Sequence, residues 1–382
     1  MRILIYSAPF YADSDFPLVK ALRSMGHEVC YMLRVAPFMT QSTLLDFVPQ
    51  DPRCQVLPAA EFPALCQWGE FIDMDHSYVS NYTQEKTGFR SFRLLKEELR
   101  TIRAFAPDAV CYMGLPYELH YLLLLAWRKR STTVMHDPFP HSGDNSLRNR
   151  IKRRLLPLFC KHFILLNGRQ APAFAKAFHV APRRITVSSL GSYQCYRHFL
   201  PGMDPGCGPY ILFLGRLAPY KGIDDAVKAF SRVRDQFPDL RLVIAGAGPL
   251  CFDMQAVEAD ERISLVHRHL SMEEVAGYVS HCQFVVCPYT DATQSGVIQT
   301  AFALGAPVVA TEVGNFADVV IPGVNGLLVP PRSPEALAGA FEQLLAHPEA
   351  LSALKANLRE ATEEDALSWQ KIAQEYLKAF AS

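Results

Sequence analysis

The chain has 382 residues, 49% apolar and 20% charged, which supports a well-buried core and excludes a disordered or fibrous protein. Thirty-eight Lys and Arg balance 38 Asp and Glu, so global charge speaks against nucleic acid as a partner. The length fits two domains, the ten cysteines without a CxxC pair suit reduced thiols in a cytoplasmic protein, and no apolar run approaches the roughly 20 residues of a membrane span.

From the first residues, MRILIYSAPF, strand-like runs alternate with helical ones, with no sign of a signal peptide. Arg2–Tyr6 reads as a buried strand, Pro17–Met25 as a helix stopped by Gly26, and Glu28–Leu33 as the next strand. Asp13-Ser14-Asp15 and Asp73-Met74-Asp75 spell the acidic tripeptide of metal-assisted nucleotide-sugar sites. Neither follows a convincing strand, so no metal is expected. Further strands are predicted at Ala109–Met113, Thr132–Met135, Phe163–Leu166 and Ile185–Ser188. Continuous apolar strands separated by helices imply a parallel sheet covered on both faces. His136 and Asp137 follow the strand Thr132–Met135, at the carboxyl end where such sheets bind ligands, and His141 follows across two prolines that stiffen the loop.

Charge is unevenly spread. Residues 1–200 hold 25 basic and 16 acidic side chains, whereas residues 201–382 hold 13 and 22. Between Asn145 and Met203 there are eleven basic residues and no carboxylate, with five in Arg148–Arg154. A solvated helix face would explain this. So would contact with an anionic membrane surface or a phosphorylated acceptor, with Leu155, Leu156, Leu158 and Phe159 lying on the membrane, although Pro157 interrupts such a helix.

Pro201–Pro209, with six Pro or Gly in nine residues, reads as a linker. Alternation then restarts, with strands at Tyr210–Leu214, Leu240–Ala245, Ile263–Val266, Phe284–Cys287, Pro307–Ala310 and Gly326–Val329. The fold class is therefore α/β, with two doubly wound parallel-sheet domains facing a cleft. In LFLGRLAPYKG (Leu212–Gly222), Arg216 and Lys221 occupy the loop after a strand, and two cations so placed can grip a diphosphate. VIAGAGP (Val243–Pro249) falls short of a dinucleotide fingerprint, because Cys251 stands at its third glycine. Its Gly246 serves a tight turn and close approach instead. Ser295 and Gly296 open an apolar helix that stops at Gly305, leaving amides at Ser295–Val297 that suit an anion.

Taken together, these features resemble the GT-B glycosyltransferases, and within them the retaining family 4. ALRSMGHEV (Ala21–Val29) is similar to the family's first helix and second strand, His136-Asp137 to its donor-site histidine motif, and GRLAPYKG (Gly215–Gly222) to its diphosphate signature. AFALGAPVV and the run after it (Ala301–Ala338) resemble the family's most specific segment, and Trp369 its last helix, which crosses back to the first domain. The resemblance implies domains over 1–200 with 366–382 (acceptor) and 210–365 (donor), joined by 201–209.

It also implies retaining transfer of a hexosyl group from a nucleoside-diphosphate sugar to a glycan or lipid-linked acceptor, in surface polysaccharide or glycolipid assembly. Such a protein is cytoplasmic, at most peripheral on the inner membrane face, and needs no cofactor or metal. By the resemblance, His136, Arg216 and Lys221 are catalytic, and Asp137 and His141 orient sugar or acceptor. Gly215, Gly246, Arg268, Gln294, Ser295, Gly296, Val297, Gln299 and Thr300 hold the donor. The sequence departs from the family at two glutamates eight residues apart, replaced by Ala292 and Thr300, and at a glycine-rich first loop, replaced by Ser7–Tyr11. A non-catalytic nucleotide-sugar-binding partner, or a nucleotide-sugar epimerase, stands as the alternative.

Overall fold

Short apolar runs bounded by turn formers assemble into two separate sheets. The computed structural model describes residues 1–36, 44–45, 54–82, 89–117, 119–139, 147–359 and 368–382. They divide into two units, Met1–Gly191 with Glu363–Ser382, and Ser192–Thr362. The first holds β1 (Arg2–Ser7), β2 (Glu28–Val35), β3 (Val56–Pro58), β4 (Ser77–Asn81), β5 (Ala109–Met113), β6 (Ser131–Met135), β7 (His162–Leu165) and β8 (Ile185–Val187), in the order β3-β4-β2-β1-β5-β6-β7-β8. All neighbours are parallel except the antiparallel pair β3–β4. The second holds β9 (Tyr210–Leu214), β10 (Arg241–Gly246), β11 (Ile263–His267), β12 (Val285–Cys287), β13 (Val308–Thr311) and β14 (Gly326–Val329), all parallel, in the order β11-β10-β9-β12-β13-β14.

β5, β9 and β14 have the bounds expected from sequence. β3 and β4 were not legible, because SYVSN buries Ser77, Ser80 and Asn81 and so shows no apolar run. The first helix begins at Ala12 rather than Pro17. Pro17 sits inside it, lacking the N–H that would bond the carbonyl of Asp13.

The expected linker also differs. The units divide between Gly191 and Ser192, and 192–209 belongs with the second. There the Tyr193 amide donates to Gln299 O (3.2 Å) and Arg197 Nε to Ala303 O (2.8 Å). Gly202, at φ +72°, crosses Gly277 so closely that a Cβ on Gly202 would overlap the Gly277 backbone, and one on Gly277 the backbone of Met203. Gly202 there serves a tight backbone crossing. At the other end of the chain, the helix Trp369–Ala381 packs on β6, β7, β8 and the helix Ala12–Ser24, with Trp369 against Gly191.

One buried carboxylate of the first unit is fully paired. Glu98 is fully buried; it accepts from Tyr6 Oη (2.6 Å), Ser80 Oγ and Tyr82 Oη (3.4 Å), and lies 3.4 Å from His120 Nε2. Burial raises its pKa, but the charge and hydrogen bond of His120, then Ser80 and Tyr6, outweigh that and hold it below the ordinary carboxylate range.

Gly222 precedes the helix Ile223–Val233 at φ +68°, and a Cβ there would overlap the carbonyl oxygen of Pro288; Gly323 has a similar φ of +76° with nothing around it. Both Gly→Ala changes introduce left-handed strain, but only Gly222→Ala adds the overlap. Denaturant unfolding is expected to show Gly222→Ala less stable than Gly323→Ala by about 1–3 kcal/mol. Equal losses would mean that the loop after β12 yields freely.

Candidate functional site

In the second sheet the strand order reverses at β9, between β10 and β12, and ligands in such sheets bind outside the strand ends at that point. The loop after β9 is laid on the loop after β10: the Gly215 amide donates to Ala245 O (3.0 Å) and Leu217 to Ala247 O (2.8 Å). Gly246, at φ +151°, has no room for a Cβ beneath the Gly215 carbonyl. The loop carries Arg216, exposed and donating Nη2 to Tyr220 Oη (3.0 Å), and Lys221, whose Nζ stands 3.7 Å from the centroid of the Tyr289 ring and 5.3 Å from that of Tyr220. Among the described residues neither cation is ion-paired to a carboxylate. Burial, and to a lesser degree the charge of Arg216, pull the Lys221 ammonium down to about 8 against the opposing Cys287.

Tyr289 joins this pair to the loop after β12, its Oη lying 3.4 Å from Ser295 Oγ. Ser295 is the N-cap of Gly296–Ala303, but its side chain does not cap. The first-turn amides there have no helical acceptor, and the dipole makes that end positive. Val297 closes the ring of residues: a Cβ on Gly215 would come within 3.1 Å of Val297 Cγ2. The fold thus brings Gly215, Arg216, Lys221, Gly246, Ser295, Gly296 and Val297 together.

Other predicted donor residues fare differently. Thr300 is 5% exposed and its Oγ1 donates back to Gly296 O (3.0 Å); Gln299 is 2% exposed and faces inward. Gln294 is half-buried in the loop before Ser295. The Ala292 carbonyl is packed under the turn at Gly314, where a Cβ would overlap it. Arg268 places its fork on Glu274 (2.8 and 2.5 Å), and Glu274 also accepts from the Ser271 amide in a capping box; Arg268, then that amide, hold its carboxyl at about 2. Arg268 therefore secures a helix start. Tyr220 and Tyr289 escaped the sequence reading, since an aromatic residue after a strand carries no signal of its own.

In the first unit, His136 and Asp137 follow β6 as expected. The His136 ring stacks on Tyr11 (centroids 4.1 Å apart, 18° between planes), and Gly114, at φ +78°, leaves the space that Tyr11 occupies. Burial lowers the imidazole to about 4 against the weaker pull of Asp137, so it is neutral at physiological pH. His141 lies outside the described residues. The two acidic tripeptides serve the fold: Asp15 accepts from Ser7 and Tyr31 (3.1 Å), and Asp73 from the Asp75 amide (3.1 Å) and His76 (2.9 Å). Among the described residues no three His, Cys, Asp or Glu gather as metal ligands.

Residues 208–347 match the family described as Glycosyl transferases group 1. A D-inositol 3-phosphate glycosyltransferase of Pseudarthrobacter chlorophenolicus is 35% identical over 154 residues, 38% of this chain and 36% of that protein. The chain spans about half or less of the length of the curated relatives it matches. Among solved structures, sucrose-phosphate synthase from Thermosynechococcus elongatus aligns over 100% of this chain and 99% of its own, with a TM-score of 0.64 and 20% identity. Anabaena HepE in complex with UDP-glucose aligns over 100% and 99%, at 0.62 and 15%. These likenesses show the fold, two parallel α/β sheets as in GT-B glycosyltransferases. The residues that build the second sheet and its Arg216–Lys221 loop are those in which this chain matches the glycosyl transferases group 1.

Proposed function

We propose that the chain transfers a hexosyl group from a nucleoside-diphosphate sugar, with retention at the anomeric carbon, to a glycan or lipid-linked acceptor in surface polysaccharide or glycolipid assembly. One observation carries this reading: two cations without a carboxylate partner, Arg216 and Lys221, share the end of β9 with the uncapped helix start at Ser295–Val297. A diphosphate supplies the missing negative charge. On cleavage of the anomeric C–O bond, charge develops on the departing phosphate oxygen, and these groups stabilise it. At an effective dielectric near 20, each cation about 4 Å away contributes roughly 4 kcal/mol before desolvation. The departing phosphate takes the acceptor hydroxyl's proton, so no side-chain base is required. His136, kept neutral, orients the sugar. The named relatives, among them a GDP-mannose-dependent mannosyltransferase of Mycolicibacterium smegmatis, support sugar transfer as the reaction class.

A second reading, a nucleotide-sugar-binding partner without catalysis, draws on the positions of the lost glutamates. Ala292 is half-buried with its carbonyl packed under a turn, and the Thr300 hydroxyl is bonded within its own helix, so neither replaces a carboxylate. Donor turnover separates the two readings.

The helix Leu147–Phe159 supports docking on an anionic phospholipid surface. It exposes Leu147, Ile151, Leu155 and Leu158 beside Arg148, Arg150 and Arg154. No helix among the described residues is long and apolar enough to cross a membrane.

Arg216→Ala or Lys221→Ala is expected to slow transfer by roughly 10²–10³ in a folded protein, and near-normal turnover removes the residue from the mechanism. Nucleoside-diphosphate affinity should be level below about pH 8 and fall up to tenfold per pH unit above it. The Lys221 cation is lost as pH rises through its lowered value, while burial holds the Cys287 and Tyr289 protons. Lys221→Arg should flatten that profile in titration calorimetry; an unchanged slope would assign the titration elsewhere. For docking, flotation with anionic liposomes should weaken at high salt, and equal binding to neutral vesicles would overturn the electrostatic contribution.

A further inference from the structure

In the first unit the ends of β1, β2 and β5 and the helix Leu147–Phe159 enclose a cavity of about 310 Å³. Its wall carries Arg34, Lys152 and Arg153 together with Ser7, Tyr11, Tyr112 and Tyr117, and no carboxylate lines it among the described residues. Arg34, on β2, is 1% exposed. Its guanidinium carbon lies 3.4 Å from the Tyr117 ring centroid and 4.3 Å from that of Tyr82. Its Nε and Nη1 are buried without a hydrogen-bond acceptor, and so is Nε of Arg153. Lys152 brings a third cation, its Nζ 5.4 Å from the Tyr117 centroid.

A buried guanidinium without hydrogen bonds is costly, and two aromatic faces offset only part of that cost. On the helix Phe89–Phe105 of the same unit the fold satisfies the buried charge of Glu98 with four polar partners. Arg34 and Arg153 line the cavity and keep buried donors unmet instead.

Resting on the transferase reading above, we infer that this cavity binds the phosphate group, monoester or diester, of the acceptor. The guanidinium forks of Arg34 and Arg153 suit the paired oxygens of a phosphate. The volume exceeds a phosphate alone and leaves space for the polyol or sugar that bears it. Tyr11, part of the wall, stacks on His136, so the rest of the acceptor extends toward that histidine.

The test is titration calorimetry of the full chain with glycerol 3-phosphate, glycerol as the neutral control, and UDP and GDP measured separately. Vesicle capture on phosphatidylglycerol against phosphatidylcholine forms the lipid arm. Arg34→Met is expected to weaken phosphate binding about 10- to 100-fold while leaving nucleoside-diphosphate binding unchanged. Arg153→Gln, on a half-exposed helix position, gives the same direction should Arg34→Met fail to fold. Loss in the soluble arm identifies a free phosphorylated acceptor. Loss confined to phosphatidylglycerol vesicles identifies a lipid headgroup, because surface charge alone would not depend on a residue as buried as Arg34. If neither probe binds, or both bind folded Arg34→Met and Arg153→Gln as they bind the wild type, the inference is overturned. Nucleoside-diphosphate binding in the same samples would then leave the transferase reading intact. Arg34-dependent phosphate binding without any nucleoside-diphosphate response would overturn the donor site alone.

Discussion

Parallel strand pairing is the constraint on which the rest depends. Every neighbour pair in the second sheet, and all but β3–β4 in the first, runs the same way, so the carboxyl ends of the strands open on one edge of each sheet. Where the strand order reverses, at β9 in the second sheet and β1 in the first, the flanking loops diverge and leave space between them. Arg216, Lys221 and Ser295 occupy one such place, and Tyr11 and the Arg34 cavity the other. Loop chemistry can vary there at little cost to the core, which lies in strands of Val, Ile, Leu and Phe.

Which positive charges the fold uses for itself, and which it leaves over, separates structural residues from binding ones. Arg268 is neutralised by Glu274 and fastens a capping box, while Arg234 and Arg262 share Asp235 and Asp260. Arg216, Lys221 and Arg34 meet tyrosine rings instead of carboxylates. A ring face stabilises a cation without neutralising it, so these positions retain attraction for an anion. Lys221 bears the cost in a proton held less tightly than usual.

Close backbone crossings hold the donor-side loop in place. Gly246 lies under Gly215 and Gly222 against Pro288, each where a Cβ would not fit. With Ala292 and Thr300 turned to packing, what remains for an anion is the two cations and the helix start, so charge rather than ribose carboxylates is the means of grip in this reading.

The sequence by itself determined the alternating α/β plan, most strand positions, the Gly215–Gly222 loop and the helix opening at Ser295. Each of these is written locally, in apolar runs, strand–loop junctions and a Ser-Gly cap. It did not determine β3 and β4, whose buried serines and asparagine hide them, nor the end of the first unit at Gly191, since a Pro–Gly segment spells a tight crossing and a flexible linker alike. Only the tertiary structure decided that Arg268 is spent on Glu274, that Lys221 rests on Tyr289, and that Arg34 is buried with donors unmet. Arg34 lies 83 residues from Tyr117 in the chain, and Lys221 lies 68 from Tyr289. Whether a charge finds its partner depends on such distant residues, and one chain's local pattern carries no record of them.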